Sequence, residues 1–183
     1  MAFQSLGFYS LTAWLPTISE QNGVRAAPAG LLLSVAGFAS LPSAFVAPLL
    51  ASSPSRQRVA VAATVVLNAT ALEGMLWHPV EGAVAWMVLL GLAQGAAISL
   101  ALSFIVLRAP SASRAAELSG MAQTTGYLVA SVGPLMVGAL HDTTGGWLLP
   151  LVVMEGVLAL QLLAGLGASR PLVVARSPGP RAS

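Results

Sequence analysis

The chain has 183 residues, of which 56% are hydrophobic and only 8% are charged. About a quarter of the residues in soluble domains are charged, so this composition indicates an integral membrane protein. The formal net charge of +2 comes from eight Arg spread over the whole length, which argues against a nucleic-acid-binding surface. There is no Cys, which excludes disulfides and thiolate metal sites.

Six apolar stretches are candidates to cross the hydrocarbon core of a bilayer, which takes about 20 residues. Charged residues and clusters of Pro and Gly separate them. The predicted spans are about 1–18, 29–51, 59–77, 83–107, 118–140 and 147–168. Residues 1–168 are therefore predicted to form an all-α transmembrane bundle, and residues 169–183 are predicted to form a disordered tail.

Basic side chains are distributed unevenly among the predicted connections. Seven of the eight Arg fall in the loop 52–58, the connector 108–117 and the tail, which share one face of a six-span bundle. The positive-inside rule places this face, and with it the carboxy terminus, in the cytoplasm. Trp14, Trp77 and Trp147 fall at span ends on the opposite face, where interfacial aromatic residues are expected.

The fourth span carries a stripe of small residues at four-residue spacing. The stripe consists of Gly91, Gly95, Ser99 and Ser103. Residues at this spacing share one face of a helix, and small residues let membrane helices approach closely. We therefore predict that another helix packs on this stripe.

The fifth span has a polar face of its own, formed by Gln123, Tyr127 and Ser131. Any one of these residues is explained more readily as an interhelical contact than as a ligand contact. Several polar residues on two such segments together favour a binding site.

Other ionisable residues give weaker indications of function. Glu73 and Glu155 are the only acids inside predicted spans, and snorkelling or an interhelical hydrogen bond is favoured over proton coupling for both. Arg108, at the inner end of span four, is interpreted as an orientation charge rather than an anion ligand. His78 and His141 lie in turns without a matching nucleophile or metal-ligand pattern, so the chain is not predicted to be an enzyme.

Three segments carry a family resemblance. GLAQGAAISLALSFIVLRA (91–109) and SGMAQTTGYLVASVGPLMVGALHDTTGGW (119–147) resemble the tenth and eleventh helices of the cyanate permease branch of the major facilitator superfamily. FQSLGFYSLTAWLPTI (3–18) resembles the seventh helix of the same branch. The resemblance covers about residues 1–170. It implies the carboxy-terminal six-helix half of a twelve-helix secondary transporter in a bacterial inner membrane, with an amino-terminal six-helix half as its partner.

The resemblance also implies a site, because the first, second, fourth and fifth helices of this half would line a central cavity. The candidate solute-binding residues are Gln4, Tyr9, Gln94, Ser99, Gln123 and Tyr127. Their amides and hydroxyls are suited to a small anion or a small polar organic solute, and no cofactor is implied. The alternative is a non-transporting truncated fragment or a membrane scaffold bundle, which is suggested by Met1 lying inside the first predicted span.

Overall fold

A computed structural model describes residues 1–170 of the chain, except for the side chains of residues 26–29. The regular elements in this range are all α-helices, which confirms the predicted all-α class. They are α1 (Ala2–Gln21), α2 (Ala26–Leu50), α3 (Pro54–Trp77), α4 (Ala83–Arg108), α5 (Ala112–Ala130), α6 (Val132–Thr144) and α7 (Leu148–Ala168). The predicted disorder of the tail concerns mainly residues 171–183, which lie outside the described residues.

Four of these helices are long and apolar enough to cross a membrane. They are α2 from Gly30 onward, α3, α4 and α7. The chain is thus a multi-pass membrane protein. Helices α1 and α5 are not among these four. Polar side chains on a membrane helix are stable only where they face protein or a water-filled cavity. The division into six spans stays a prediction.

Helix α1 lies at the centre of the bundle and contacts α2, α5, α6 and α7. Its residues Leu6, Leu11, Leu15 and Ile18 are buried in the main apolar cluster. Since lipid is as apolar as these side chains, close packing and interhelical hydrogen bonds hold such a core together rather than exclusion of water. The central position of α1 explains why its polar residues are also buried.

Helices α2 and α4 share the most extensive contact of any pair of helices that the structure describes. A methyl group added at Gly91 would meet the carbonyl oxygen of Ala36, and one added at Gly95 would meet the carbonyl oxygen of Ser40. The predicted close approach is therefore confirmed at both glycines, and α2 is the helix that makes it. Ser43 Oγ donates to the Ser40 carbonyl at 2.9 Å, so its hydroxyl is satisfied within α2.

The segment predicted as the single span 118–140 is divided in the structure at Ser131, between α5 and α6. Pro134 lacks the backbone N–H that would donate to the carbonyl of Ala130, so the helical ladder is interrupted there. The backbone at Ser131 remains in the right-handed helical region. Trp14 Nε1 on α1 donates to the Pro134 carbonyl at 2.8 Å, which attaches the break to the central helix.

An aromatic cluster joins the ends of α1, α6 and α7. The rings of His141 and Trp147 are stacked, with centroids 4.0 Å apart, and Trp14 lies 5.8 Å from Trp147. Trp147 Nε1 donates to Gln21 Oε1 at 2.8 Å. These contacts tie the end of α1 to the turn between α6 and α7.

Candidate functional site

A cavity of about 240 Å³ lies between α1, α2, α4 and α5. Gln4 and Tyr9 on α1, Gln94 on α4 and Tyr127 on α5 all line it. The structure thus brings together four of the six side chains that the sequence analysis singled out. We call this space the central cavity.

The α1 wall of the central cavity is polar and buried. Gln4 is 5% exposed and its neighbour Ser5 is 3% exposed. Ser5 Oγ donates to Gln4 Oε1 at 3.3 Å. Gln4 and Ser5 lie in the first turn of α1. Two adjacent buried polar side chains need hydrogen-bond partners, and the cavity offers space for a bound solute to supply them.

Gln94 forms the α4 wall and is 7% exposed. Its Oε1 is buried and has no hydrogen-bond partner among the described residues. An unsatisfied buried acceptor costs roughly 1–3 kcal/mol, so a solute that donates a hydrogen bond here would recover that energy. This amide is the clearest indication of a ligand in the cavity.

Aromatic rings form the more open side of the central cavity. Tyr9 and Tyr127 are 44% and 46% exposed. Their rings meet edge to face, with centroids 6.1 Å apart, and Phe8 meets Tyr9 in the same way at 5.3 Å. The rings connect α1 to α5 and leave both phenol groups accessible from outside the bundle.

Two predicted site residues, Ser99 and Gln123, do not line this cavity. Ser99 Oγ donates to the Ala96 carbonyl at 3.1 Å on its own helix. Gln123 Nε2 donates to Ser119 Oγ at 2.9 Å, also on its own helix. Both side chains therefore have local partners, and a ligand role for either stays a prediction without a cavity to support it.

Sequence reasoning missed Ser5 and Ser40, which also line the central cavity. Ser40 lies on α2 opposite Gly95, and its Oγ donates to the Gly37 carbonyl at 2.7 Å. Small residues recur along α2 at Ala36, Ser40 and Ala47, a pattern that resembles the α4 stripe. Comparing the two stripes could have indicated that α2 faces α4.

The described residues that line the central cavity carry no fixed charge, because they contribute amide, hydroxyl, aromatic and aliphatic groups. Glu73 lies elsewhere, is exposed and accepts a hydrogen bond from Trp77 Nε1 at 2.8 Å. Within residues 1–170 no group of three or more His, Asp or Glu could hold a metal ion. The arrangement can therefore bind a small polar molecule through hydrogen bonds and aromatic contacts.

Comparison with known proteins identifies the kind of protein to which this chain is related. It is 43% identical to an uncharacterised transporter of Bacillus subtilis, YycB, over 100% of this chain and 46% of that protein. It is 36% identical to the 2-nitroimidazole transporter of Escherichia coli over 93% of this chain and 43% of that protein. The chain is homologous to bacterial transporters.

The cyanate transport protein CynX of Escherichia coli is a further relative of this chain, 28% identical over 78% of this chain and 37% of that protein. The resemblance to the cyanate permease branch is thereby confirmed. No family model matches the chain. No solved structure matches it either.

The chain spans less than half the length of each of these relatives. All three are named as transporters or transport proteins and none as an enzyme, in agreement with the prediction that the chain is not an enzyme. The solutes in the relatives' names are those of the relatives. In this chain, the central cavity is the candidate site for binding a solute.

Proposed function

We propose that this chain is the carboxy-terminal six-helix half of a twelve-helix secondary active transporter. The three relatives described above support this division, because the chain matches only 46%, 43% and 37% of their lengths. An amino-terminal half would face the open side of the central cavity, near Tyr9 and Tyr127. Rocking of the two halves would expose the cavity to one side of the membrane and then to the other.

The solute is a small anion or a small polar organic molecule that binds in the central cavity. The observation that carries this proposal is the buried Gln94 Oε1, which has no hydrogen-bond partner among the described residues, in a cavity that Gln4 also lines. A polar organic solute with an N–H or O–H group would donate to Gln94 Oε1. A small anion would instead accept hydrogen bonds from the Gln94 amide N–H groups and from the hydroxyl groups of Tyr9 and Tyr127. A cavity without fixed charge suits solutes that carry little or delocalised charge.

The membrane is the bacterial inner membrane, and the carboxy terminus lies in the cytoplasm. The Arg-rich loops and tail support this orientation through the positive-inside rule. The rival proposal of a non-transporting fragment or scaffold predicts the same membrane insertion and no uptake. A measurement of solute uptake therefore distinguishes the transporter proposal from the scaffold proposal.

The test is uptake of labelled cyanate and labelled 2-nitroimidazole by cells that express the chain alone or together with a six-helix amino-terminal half. These probes are a small anion and a neutral polar heterocycle, as in the names of two relatives. Uptake of either probe only when both halves are present is the expected result. Absence of uptake with both halves in the membrane, for these and other small solutes, would leave the scaffold interpretation standing.

A further inference from the structure

A second cavity of about 360 Å³ lies among α1, α3, α4, α5 and α7, beside the end of α4 where Arg108 is found. Its polar lining consists of Gln4, Thr64, Arg108 and Gln161, and its other walls are mainly apolar, Leu100, Phe104 and Ile105 among them. This volume falls within the range of roughly 300–1,000 Å³ that is common for small-molecule sites. We call this space the arginine cavity.

Among residues 1–170, Arg108 is the only charged side chain that lines the arginine cavity. It is held from one side, where Nη2 donates to Gln57 Oε1 on α3 at 2.9 Å, and Gln57 is itself buried. The Nε atom of Arg108 is buried and has no hydrogen-bond partner among the described residues. The guanidinium is therefore fixed in direction and still has an unused donor.

No carboxylate compensates the charge of Arg108 in the part of the chain that the structure describes. The acid closest to it in sequence, Glu117, is paired with Arg114 at 2.6 Å. A half-buried cation with an unused donor, facing a cavity of suitable size, is poised for an anion that can accept from the guanidinium fork.

We propose that the arginine cavity binds a small oxyanion through Arg108, as a site separate from the central cavity. Its apolar walls favour a monocarboxylate with an apolar body, whose carboxylate would meet Arg108 while its body contacts Phe104 and Leu100. The phosphate of an anionic lipid offers the same chemistry from a second source. Gln4 lines both the central cavity and the arginine cavity. A solute that moves from one cavity to the other could therefore stay in contact with the Gln4 amide.

The test measures binding, so it does not depend on whether the chain transports anything. The chain is reconstituted in phosphatidylcholine nanodiscs and titrated calorimetrically with sodium benzoate at constant ionic strength, with benzamide as the uncharged match. We expect benzoate to bind and benzamide not to bind. Arg108→Gln should weaken benzoate binding about tenfold or more, since a charge-assisted hydrogen bond is lost.

Two variants keep the test decisive. Arg114→Gln removes an exposed Arg near the same end of the bundle and should bind benzoate as the unmodified chain does. Arg108→Lys keeps the charge without the guanidinium fork and should bind with intermediate affinity, which guards against misfolding of Arg108→Gln. Equal benzoate binding by the Arg108→Gln and unmodified chains, or no binding at all in phosphatidylcholine, would overturn the proposal.

A parallel titration in phosphatidylglycerol nanodiscs distinguishes the two sources of the oxyanion. Undiminished benzoate binding there would assign the site to a soluble carboxylate. If benzoate binds in phosphatidylcholine but not in phosphatidylglycerol, the site would be assigned to a lipid phosphate. The Arg108→Gln chain should then show no difference in benzoate binding between the two lipids.

Discussion

Replacing Gly91 by Ala tests the α2–α4 contact that holds one wall of the central cavity in place. The added methyl group would meet the Ala36 carbonyl oxygen and would lie 2.8 Å from Ala39 Cβ. Overpacking usually costs about 1–3 kcal/mol, and a backbone carbonyl cannot move aside as a side chain can, so we take about 3 kcal/mol. The greater helix propensity of Ala returns up to about 1 kcal/mol.

The expected loss for Gly91→Ala is therefore about 2 kcal/mol in the free energy of unfolding, or roughly thirtyfold in the unfolding equilibrium constant. The assay is reversible unfolding of the chain in mixed micelles by titration with sodium dodecyl sulfate, followed by tryptophan fluorescence. Gly120→Ala and Gly156→Ala are matched controls, because an added methyl group at either position would meet nothing within 4 Å. If Gly91→Ala were as stable as these controls, the close approach of α2 to α4 would be refuted.

Two further substitutions test hydrogen bonds elsewhere in the bundle by the same unfolding assay. Trp147→Phe removes the donor to Gln21 while keeping a ring against His141, and should cost about 1 kcal/mol. An effect as large in a chain that already carries Gln21→Leu would contradict that bond. Glu155→Leu removes a carboxyl oxygen that is buried without a partner among the described residues, and should stabilise the chain by about 1 kcal/mol. Glu73→Leu should bring no such gain, because Glu73 is exposed and bonded to Trp77. A loss of stability in Glu155→Leu would indicate an interaction that the structure does not contain.

Helix periodicity alone predicted the contact stripe on α4 but not which helix it meets. Four-residue spacing places Gly91 and Gly95 on one face, and small size marks that face as a contact. The partner depends on how the chain returns through the bundle, which a local pattern does not contain. The division at Ser131 had a local signal in Pro134, three residues further on, because a Pro removes a helical hydrogen bond four residues back.

Helix geometry also explains which predicted site residues line the central cavity. Gln94 and Ser99 are five residues apart, so their side chains point about 140° apart around α4, and the short Ser hydroxyl cannot reach the cavity that Gln94 lines. Gln4 and Tyr9 have the same separation, but the phenol of Tyr9 is long enough to reach round α1. Gln123 shares a face with Tyr127 yet lies about 6 Å further along the helix axis. The sequence therefore predicted which types of residue form the site. It did not predict which of them lie at the position along the helix axis where the cavity is.

The polar composition of residues 52–58 led to a wrong prediction of where α3 begins. The polar segment 52–58 was predicted to be a loop, whereas α3 begins at Pro54, after Ser53, whose Oγ accepts from the backbone N–H of Arg56 at 3.5 Å. A Ser followed by Pro at the first helical position is a common way to begin a helix. This extra turn brings Gln57 within reach of Arg108, and the pairing of the two residues could not be predicted from the loop assignment.

The measurement that tests the central claim most directly compares Gln94→Ala with Gln123→Ala in the assembled two-half transporter. The two substitutions remove the same amide, but only Gln94 lines the central cavity. At equal abundance in the membrane, we expect Gln94→Ala to lower the initial rate of solute uptake about tenfold, since a buried hydrogen bond to the solute is lost, and Gln123→Ala to leave it nearly unchanged. Equal rates for both variants, or a loss confined to Gln123→Ala, would contradict the assignment of the solute to this cavity.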